Sequence, residues 1–246
     1  MTELASDTAM VLAAGLGKRM RPLTDDRPKP MVTVMGKPLI DHALDRLVAA
    51  GVTLVVVNAH YRADVLRAHL AGRRDVEIRI SDETGELLGT GGGVVKAMPH
   101  FAGEPFFILN SDSVWVEGYV PALTQMQRLW DPANMDGLLL LASMTSAMGY
   151  EGTGDFVMDT EGHIARPERN ASPYAYPGVQ IVHPRLFDGA PAGEFSTNLM
   201  WDRAIARKRL YGTRLEGMWI HVGTPQARQE AERHLSELKP SALKQA

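Results

Sequence analysis

Hydrophobic residues in this chain follow two rhythms. Short unbroken apolar runs alternate with stretches in which apolar positions recur every three or four residues. Ala9–Ala14 reads as a short buried strand that runs into a glycine-containing loop. Pro38–Gly51 is predicted to be a helix, because Leu39, Ile40, Ala43, Leu44, Leu47 and Val48 form one stripe and Gly51 stands where a helix stops. The pattern continues with a strand over Val52–Asn58, a helix over Ala63–Leu70 and an alternating strand over Val76–Ile80. A helix over Thr90–Met98 and a buried strand over Phe106–Asn110 follow. Strands separated by helices in this way predict right-handed crossovers and an α/β fold, its mostly parallel mixed sheet flanked by helices.

Beyond Trp130 the texture changes. Leu138–Ala142 is another strand, and residues 149–180 are rich in Gly, Pro, Tyr and Asp, with short strands expected at Asp155–Met158 and Ala175–Ile181. A helix is expected over Ser196–Lys208 with Ser196 as its cap, then strands over Leu210–Leu215 and Met218–Val222. Thr224–Leu238 reads as a charged amphipathic helix, capped by Thr224 with Pro225 in its first turn. Residues 239–246 are expected to fray. At 246 residues, with no repeat and no low-complexity linker, the chain is expected to be a single domain over residues 1–246.

Composition removes whole classes of chemistry. The chain has 0 cysteines, which excludes disulfides, thiolate-ligated zinc, iron–sulfur clusters and a thiol nucleophile. A net charge of −3 argues against a nucleic-acid partner. No apolar run approaches the roughly 18 residues of a membrane helix, so no membrane partner is expected. The N-terminal segment lacks the basic region of a secretory signal, which predicts a cytoplasmic protein. The tetrad of methionines at 126, 135, 144 and 148 is expected to fill core space.

The densest chemical signal is Ala13–Met31. Ala14, Gly15 and Gly17 follow the first strand, and Lys18, Arg19, Arg21, Arg27 and Lys29 against Asp25 and Asp26 leave a local charge of +3. Backbone N–H groups and fixed cations after a strand make a phosphate cradle, at the sheet edge where open α/β folds bind ligands. Neither common phosphate fingerprint fits. A P-loop would need a glycine at Leu12 and Ser or Thr at Arg19, and a dinucleotide loop would need a glycine at Met20. Two further segments stand out. Leu88–Met98 carries glycines at 89, 91, 92 and 93, which permit an unusual backbone path ahead of a helix. Asn110-Ser111-Asp112 ends the buried strand Phe106–Leu109 and offers a carboxylate there.

The segment from Leu12 through Arg19, Met20, Pro22, Leu23 and Thr24 to Pro28-Lys29-Pro30 resembles the signature of the sugar-1-phosphate nucleotidylyltransferases, L-A-A-G-x-G-x-R-[ML]-x-P-L-T…P-K-P. Every fixed position is matched, and later segments agree in order along the chain. The resemblance implies a Rossmann-like fold of the nucleotide-diphospho-sugar transferase type, with a nucleotide-binding part over about 9–130 and a sugar-binding part over about 131–238. It implies that Ala14, Gly15, Gly17, Lys18, Arg19 and Lys29 meet the nucleotide, with Thr90, Gly91 and Gly92 beside its base. It assigns catalytic roles to Arg19, Lys29 and Asp112, and sugar-side roles to Asn110, Asp155 and Gly178. Asp112 would hold magnesium, with manganese as the alternative. Where the family usually has a second metal-binding Asp, in W-[VL]-D-x-G-T, this chain has His221. Imidazole is a poor magnesium ligand, so that position is open: no ligand, a ligand through water, or a changed metal preference.

Within the family the pattern is closest to the N-acetylmuramate 1-phosphate uridylyltransferases, which lack a C-terminal β-helix or acetyltransferase domain. The shared features are Thr90–Gly93, Gly154-Asp155-Phe156 and Trp219–Thr224. The expected partners are therefore UTP and N-acetylmuramate 1-phosphate, converted to UDP-N-acetylmuramate and pyrophosphate in cell-wall recycling. The lactyl carboxylate of muramate calls for a cation at the sugar, and Arg166, Arg169 and Arg185 are available. The rival expectations are mannose 1-phosphate guanylyl transfer, glucose 1-phosphate thymidylyl transfer, and a non-catalytic nucleotide-sugar sensor. Oligomeric state is not legible in the sequence.

Overall fold

A computed structural model describes residues 4–168 and 171–238; Arg169 and the tail 239–246 lie outside them. The central sheet is built from β1 (Thr8–Leu12), β2 (Leu54–Ala59), β3 (Glu77–Asp82), β4 (Phe106–Asn110), β5 (Gly137–Ser143), β6 (Tyr174–Ala175), β7 (Val179–Val182) and β8 (Leu210–Arg214). The first four strands run parallel in the order β3-β2-β1-β4. β7 inserts antiparallel between β4 and β5, and β8 pairs parallel with β5. The mostly parallel mixed sheet is the one the hydrophobic pattern predicts.

Strands β1, β2, β4 and β5 are largely apolar because both their faces are covered, whereas the edge strand β3 is partly exposed. Ala9, Val11, Val55, Val57, Phe107 and Leu109 enter one core together with α1 (Leu39–Ala49), α2 (Ala63–Leu70) and α4 (Ala122–Leu129). Met10, Val56, Phe106 and Ile108 point the other way, toward α3 (Gly89–Ala97) and α5 (Asn198–Ala206). A third core lies beneath α6 (Pro225–Glu237), whose Thr224 Oγ1 accepts the Ala227 N–H at 3.1 Å as the expected cap. Met126 is fully buried, and Met135, Met144 and Met148 pack at the margins of these cores. No helix among the described residues is long and apolar enough to cross a membrane.

Several expected boundaries shift. The strand expected at Ala175–Ile181 is two pieces, because Pro177 has no N–H to donate and Gly178 adopts φ +83. The strand expected over Asp155–Met158 shrinks to Val157–Met158, with Phe156 only bridging Tyr174. Thr197, not Ser196, holds the N-cap position of α5. Gly91, Gly92 and Gly93 lie inside α3, within the helix expected over Thr90–Met98, and in this segment only Gly89 has a left-handed φ.

Two consequences of the topology set up the site. The chain steps from β1 to β2 and β3 on one side and then returns to β4 on the other, so β1 and β4 flank a switch point where ligands bind beyond the strand ends. A small sheet stands beside it, in which Met218–His221 pairs antiparallel with Ser113–Val116 and parallel with Ala147–Met148. That register sets His221 opposite Ser113, one residue from Asp112.

Candidate active site

The loop after β1 is anchored from beneath. The Ala13 N–H donates to Asn58 Oδ1 at 2.6 Å, and Asn58 Nδ2 donates to Glu83 Oε1 at 2.8 Å, all in the interior. Gly17 is required at its position twice over. Its φ is +60, and a Cβ there would stand 3.0 Å from Lys29 Cβ and 3.1 Å from Thr24 Cγ2. Thr24 Oγ1 donates to the Gly17 carbonyl at 2.9 Å, closing the loop on itself. The loop thus folds back so that Lys29, fixed between Pro28 and Pro30 in a single turn, returns to the end of β1.

A cavity of about 480 Å³ opens above this loop. Ala14, Gly15, Gly17, Lys18, Arg19 and Lys29 line it from one side, and Thr90, Asn110 and Asp112 from the other. A second cavity of about 330 Å³ adjoins it and contains Asp155, Arg166, Trp201, Trp219 and His221. Leu12, Thr90, Asn110 and Asp112 belong to both. Of the residues expected at the site, Gly91, Gly92 and Gly178 line neither cavity. Gly91 and Gly92 abut Phe195 and Gly193, while Gly178 abuts Asn110 and Ser113 behind the pocket wall.

Asp112 and Lys29 form an ion pair at the boundary between the cavities. Burial works to raise the Asp112 carboxyl, but the Lys29 charge and hydrogen bond, with His221 adding a smaller share, hold it below the ordinary carboxylate value. His221 is shifted down, chiefly by burial and further by Lys29 and Arg19, against the opposing pull of Asp112; its imidazole is therefore neutral at pH 7. The ring rests on Gly223, where a Cβ would come within 2.5 Å of Nε2.

In the second cavity Asp155 Oδ2 accepts the Tyr176 N–H at 2.8 Å and the Tyr150 hydroxyl at 3.3 Å. It therefore orders the irregular segment around it. Tyr176, its hydroxyl pushed up by burial, stands edge-on to Trp201 at 4.7 Å, and Trp201 Nε1 donates to Gln180 Oε1 at 2.9 Å. Tyr150, Tyr176, Gln180, Asn198, Trp201 and Trp219 were not foreseen at a site. Aromatics in apolar runs look like core, and no spacing rule joins positions 150 and 219. The one grouping of three metal-capable side chains among the described residues, Asp159, Glu161 and His163, lines neither cavity.

Chemically this arrangement gathers positive charge at the end of β1. Loop amides, Lys18, Arg19 and Lys29 suit a polyphosphate, and the Asp112 carboxylate stands on the wall shared with the second cavity. Such a site, at the switch point of a 3-2-1-4 sheet, defines a phosphate-handling nucleotide enzyme. Residues 8–237 match the Nucleotidyl transferase family, and the chain belongs to it. It is 46% identical over 238 residues, 95% of its own length and 98% of the relative's, to an N-acetylmuramate alpha-1-phosphate uridylyltransferase of Caulobacter vibrioides. A protein of the same name from Neisseria meningitidis serogroup B is 35% identical across 91% of this chain and 96% of that one. The catalytic subunit beta of a Drosophila pseudoobscura mannose-1-phosphate guanylyltransferase is 31% identical, and the match spans 88% of this chain but 59% of that protein. In fold, a UDP-glucose pyrophosphorylase complexed with UDP-glucose is similar, with a TM-score of 0.76 at 18% identity, covering 94% of this chain and 98% of that one.

Proposed function

We propose that this chain transfers the uridylyl group of UTP to N-acetylmuramate 1-phosphate, giving UDP-N-acetylmuramate and pyrophosphate. The observation that carries the chemistry is the Lys29–Asp112 pair, in which Lys29 lines the first cavity and Asp112 lies on the wall common to both. The choice of substrates is supported by the 46% identity to the Caulobacter vibrioides uridylyltransferase over nearly the full length of both chains. Apart from Gly223, the lining of the first cavity comes from residues 12–112, which supports reading the first part of the chain as the nucleotide side. The second cavity adds residues from 150 onward and is read as the sugar side.

An oxygen of the sugar phosphate attacks the α-phosphorus of UTP in line. The new P–O bond forms as the bond to the β-phosphate oxygen breaks, and pyrophosphate leaves with the electron pair. The attacking phosphate is already largely dianionic near neutrality, its second pKa being about 6, so no general base is needed. The barrier is mutual repulsion of anions, and positioned cations lower it. Lys29 neutralises the crowded α-phosphate, while Arg19, Lys18 and the loop amides hold the departing phosphates. Asp112 would hold magnesium, or manganese, together with substrate phosphates; the ionised oxygen donor suits a hard cation. The bound cation would offset charge on the reacting phosphates. His221 lies beside Asp112 by strand register and is a neutral nitrogen donor, which suits manganese better than magnesium. UTP and sugar phosphates are cytoplasmic metabolites, and we read the reaction as cytoplasmic.

Pyrophosphate release tests this directly, with UTP, GTP and dTTP each combined with N-acetylmuramate, mannose and glucose 1-phosphates. Turnover confined to UTP with the muramate phosphate is expected, and preference for another pair overturns the substrate reading. Lys29→Ala and Arg19→Ala are each expected to lower kcat/KM by about 10²–10³-fold in protein that stays folded, with Tm unchanged for Arg19→Ala and lowered for Lys29→Ala, which leaves Asp112 unpaired. Near-normal turnover in both would remove the assignment of the loop.

A further inference from the structure

Muramate differs from other amino sugars by a lactyl ether that ends in a carboxylate. An enzyme selective for it needs a fixed cation at the sugar, away from the phosphates. Of the two candidate arginines in the described residues, Arg185 is already occupied. Its Nε binds Asp136, its Nη2 binds the Met135 carbonyl at 2.6 Å, and it lines neither cavity.

Arg166 is placed differently. It lines the second cavity and not the first, and among the described residues it is the sole lysine or arginine there. Its guanidinium carbon lies 4.6 Å from the centre of the Phe156 ring and 5.9 Å from that of Trp201, so aromatic faces fix the plane of the fork. Nε donates to Asp202 Oδ1 at 2.9 Å and Nη2 to Asn198 Oδ1 at 3.0 Å. A guanidinium has five N–H donors, and the remainder have no partner among the described residues. The Arg166 side chain is 38% exposed and that of Asp202 is 56% exposed, so this ion pair is screened by water and leaves the cation available to a second carboxylate.

We propose that Arg166 is the residue that binds the carboxylate carried by the sugar substrate and thereby sets its preference for muramate. The proposal rests on the uridylyltransferase reading above. A purely structural role, clamping the strand Ile164–Ala165 to α5 through Asp202, would also make the residue sensitive to substitution. The two roles part on sugar discrimination.

The test uses UTP with N-acetylmuramate 1-phosphate or N-acetylglucosamine 1-phosphate, which lacks only the lactyl group. The readout is the ratio of the two kcat/KM values within one preparation, which cancels any loss of folded protein. Arg166→Met is expected to lower the muramate-over-glucosamine ratio by at least about tenfold, mainly through KM for the muramate phosphate. Arg166→Lys, which keeps the charge but not the planar fork, is expected to fall between it and the wild type, and serves if the methionine variant does not fold. Asp202→Asn is expected to preserve the ratio. An unchanged ratio in both Arg166 variants overturns the proposal whatever happens to the absolute rates. An equal collapse in Asp202→Asn assigns the effect to the clamp and overturns it too. A wild type inactive on the muramate phosphate overturns the uridylyltransferase reading itself, and this result is visible before any variant is made.

Discussion

The glycines of α3 give a prediction whose sign separates two physical effects. Gly92 sits inside a helix, where replacing glycine by alanine ordinarily stabilises by about 1 kcal/mol. Here the added Cβ would stand 2.2 Å from the Gly193 carbonyl oxygen and 3.1 Å from Leu88 Cβ. The first of these is backbone, and it is not free to move. Phe195 O accepts the Gly91 N–H at 2.9 Å, the Phe195 N–H donates to Leu88 O at 3.2 Å, and the Thr197 N–H donates to Thr90 Oγ1 at 3.0 Å. Relieving the contact needs a displacement of about 1 Å, which costs about 1–3 kcal/mol as overpacking. Loss of one of the hydrogen bonds adds about 1 kcal/mol. After the gain in helix propensity, Gly92→Ala is expected to be destabilised by about 2 kcal/mol, a fall of about 4–8 °C in Tm at this size. Gly91→Ala should cost less, because its clash is with the Phe195 ring, which can turn. Thermal unfolding followed by circular dichroism reads both. Because Ser196 and Thr197 line the second cavity, KM for the sugar phosphate should rise in the Gly92 variant as well. A Tm at or above the wild-type value would refute the reasoning.

Other outcomes follow from single features. Burial acts to raise the Asp136 carboxyl, but Arg185 and Arg209 outweigh it and hold the pKa below its ordinary value. Its stabilising contribution is therefore complete above the unfolded value of about 4 and lost as pH falls through the native one. Asp136→Asn should cost about 2–3 kcal/mol at pH 7, and the gap should close on acidification; a gap independent of pH contradicts this pairing. Thr224→Ala, which removes the cap of α6, should cost about 1 kcal/mol, or about 2–4 °C in Tm, and equal melting would show that the cap contributes nothing. Chelation by EDTA should abolish pyrophosphate release while leaving Tm unchanged, since on the proposed reaction the cation would be held by one carboxylate together with substrate phosphates; a fall in Tm would indicate a resident structural metal.

The parallel half of the sheet was legible because β1, β2 and β4 are buried on both faces and so appear as unbroken apolar runs. The loop after β1 was legible as a unit because it is contiguous: Gly15, Gly17, Arg19 and Lys29 reach one cavity within a single excursion from β1. The second cavity was not, since it is assembled from Leu12 to His221 across several elements. Trp201 carries no local mark that distinguishes a cavity wall from a core. The Gly-rich run misled in a specific way. Its glycines were read as freedom of the backbone, whereas Gly91 and Gly92 are small because another segment lies against them. The strand Ser113–Val116, which had no expectation attached, supplies the register that brings His221 to Asp112.

The wall held in common by Leu12, Thr90, Asn110 and Asp112 has a kinetic consequence. On the proposed reaction each substrate occupies one compartment, but the nucleotide sugar lies across both. It is a bivalent ligand whose halves tether one another, so that when one half lets go the other holds it at a local concentration of about millimolar. Pyrophosphate has no such second foothold. The expected order of departure is pyrophosphate first and nucleotide sugar last, with escape of the sugar product limiting turnover. As that product accumulates it would exclude both substrates at once, giving the cell a throttle on the pathway that needs no separate regulatory site.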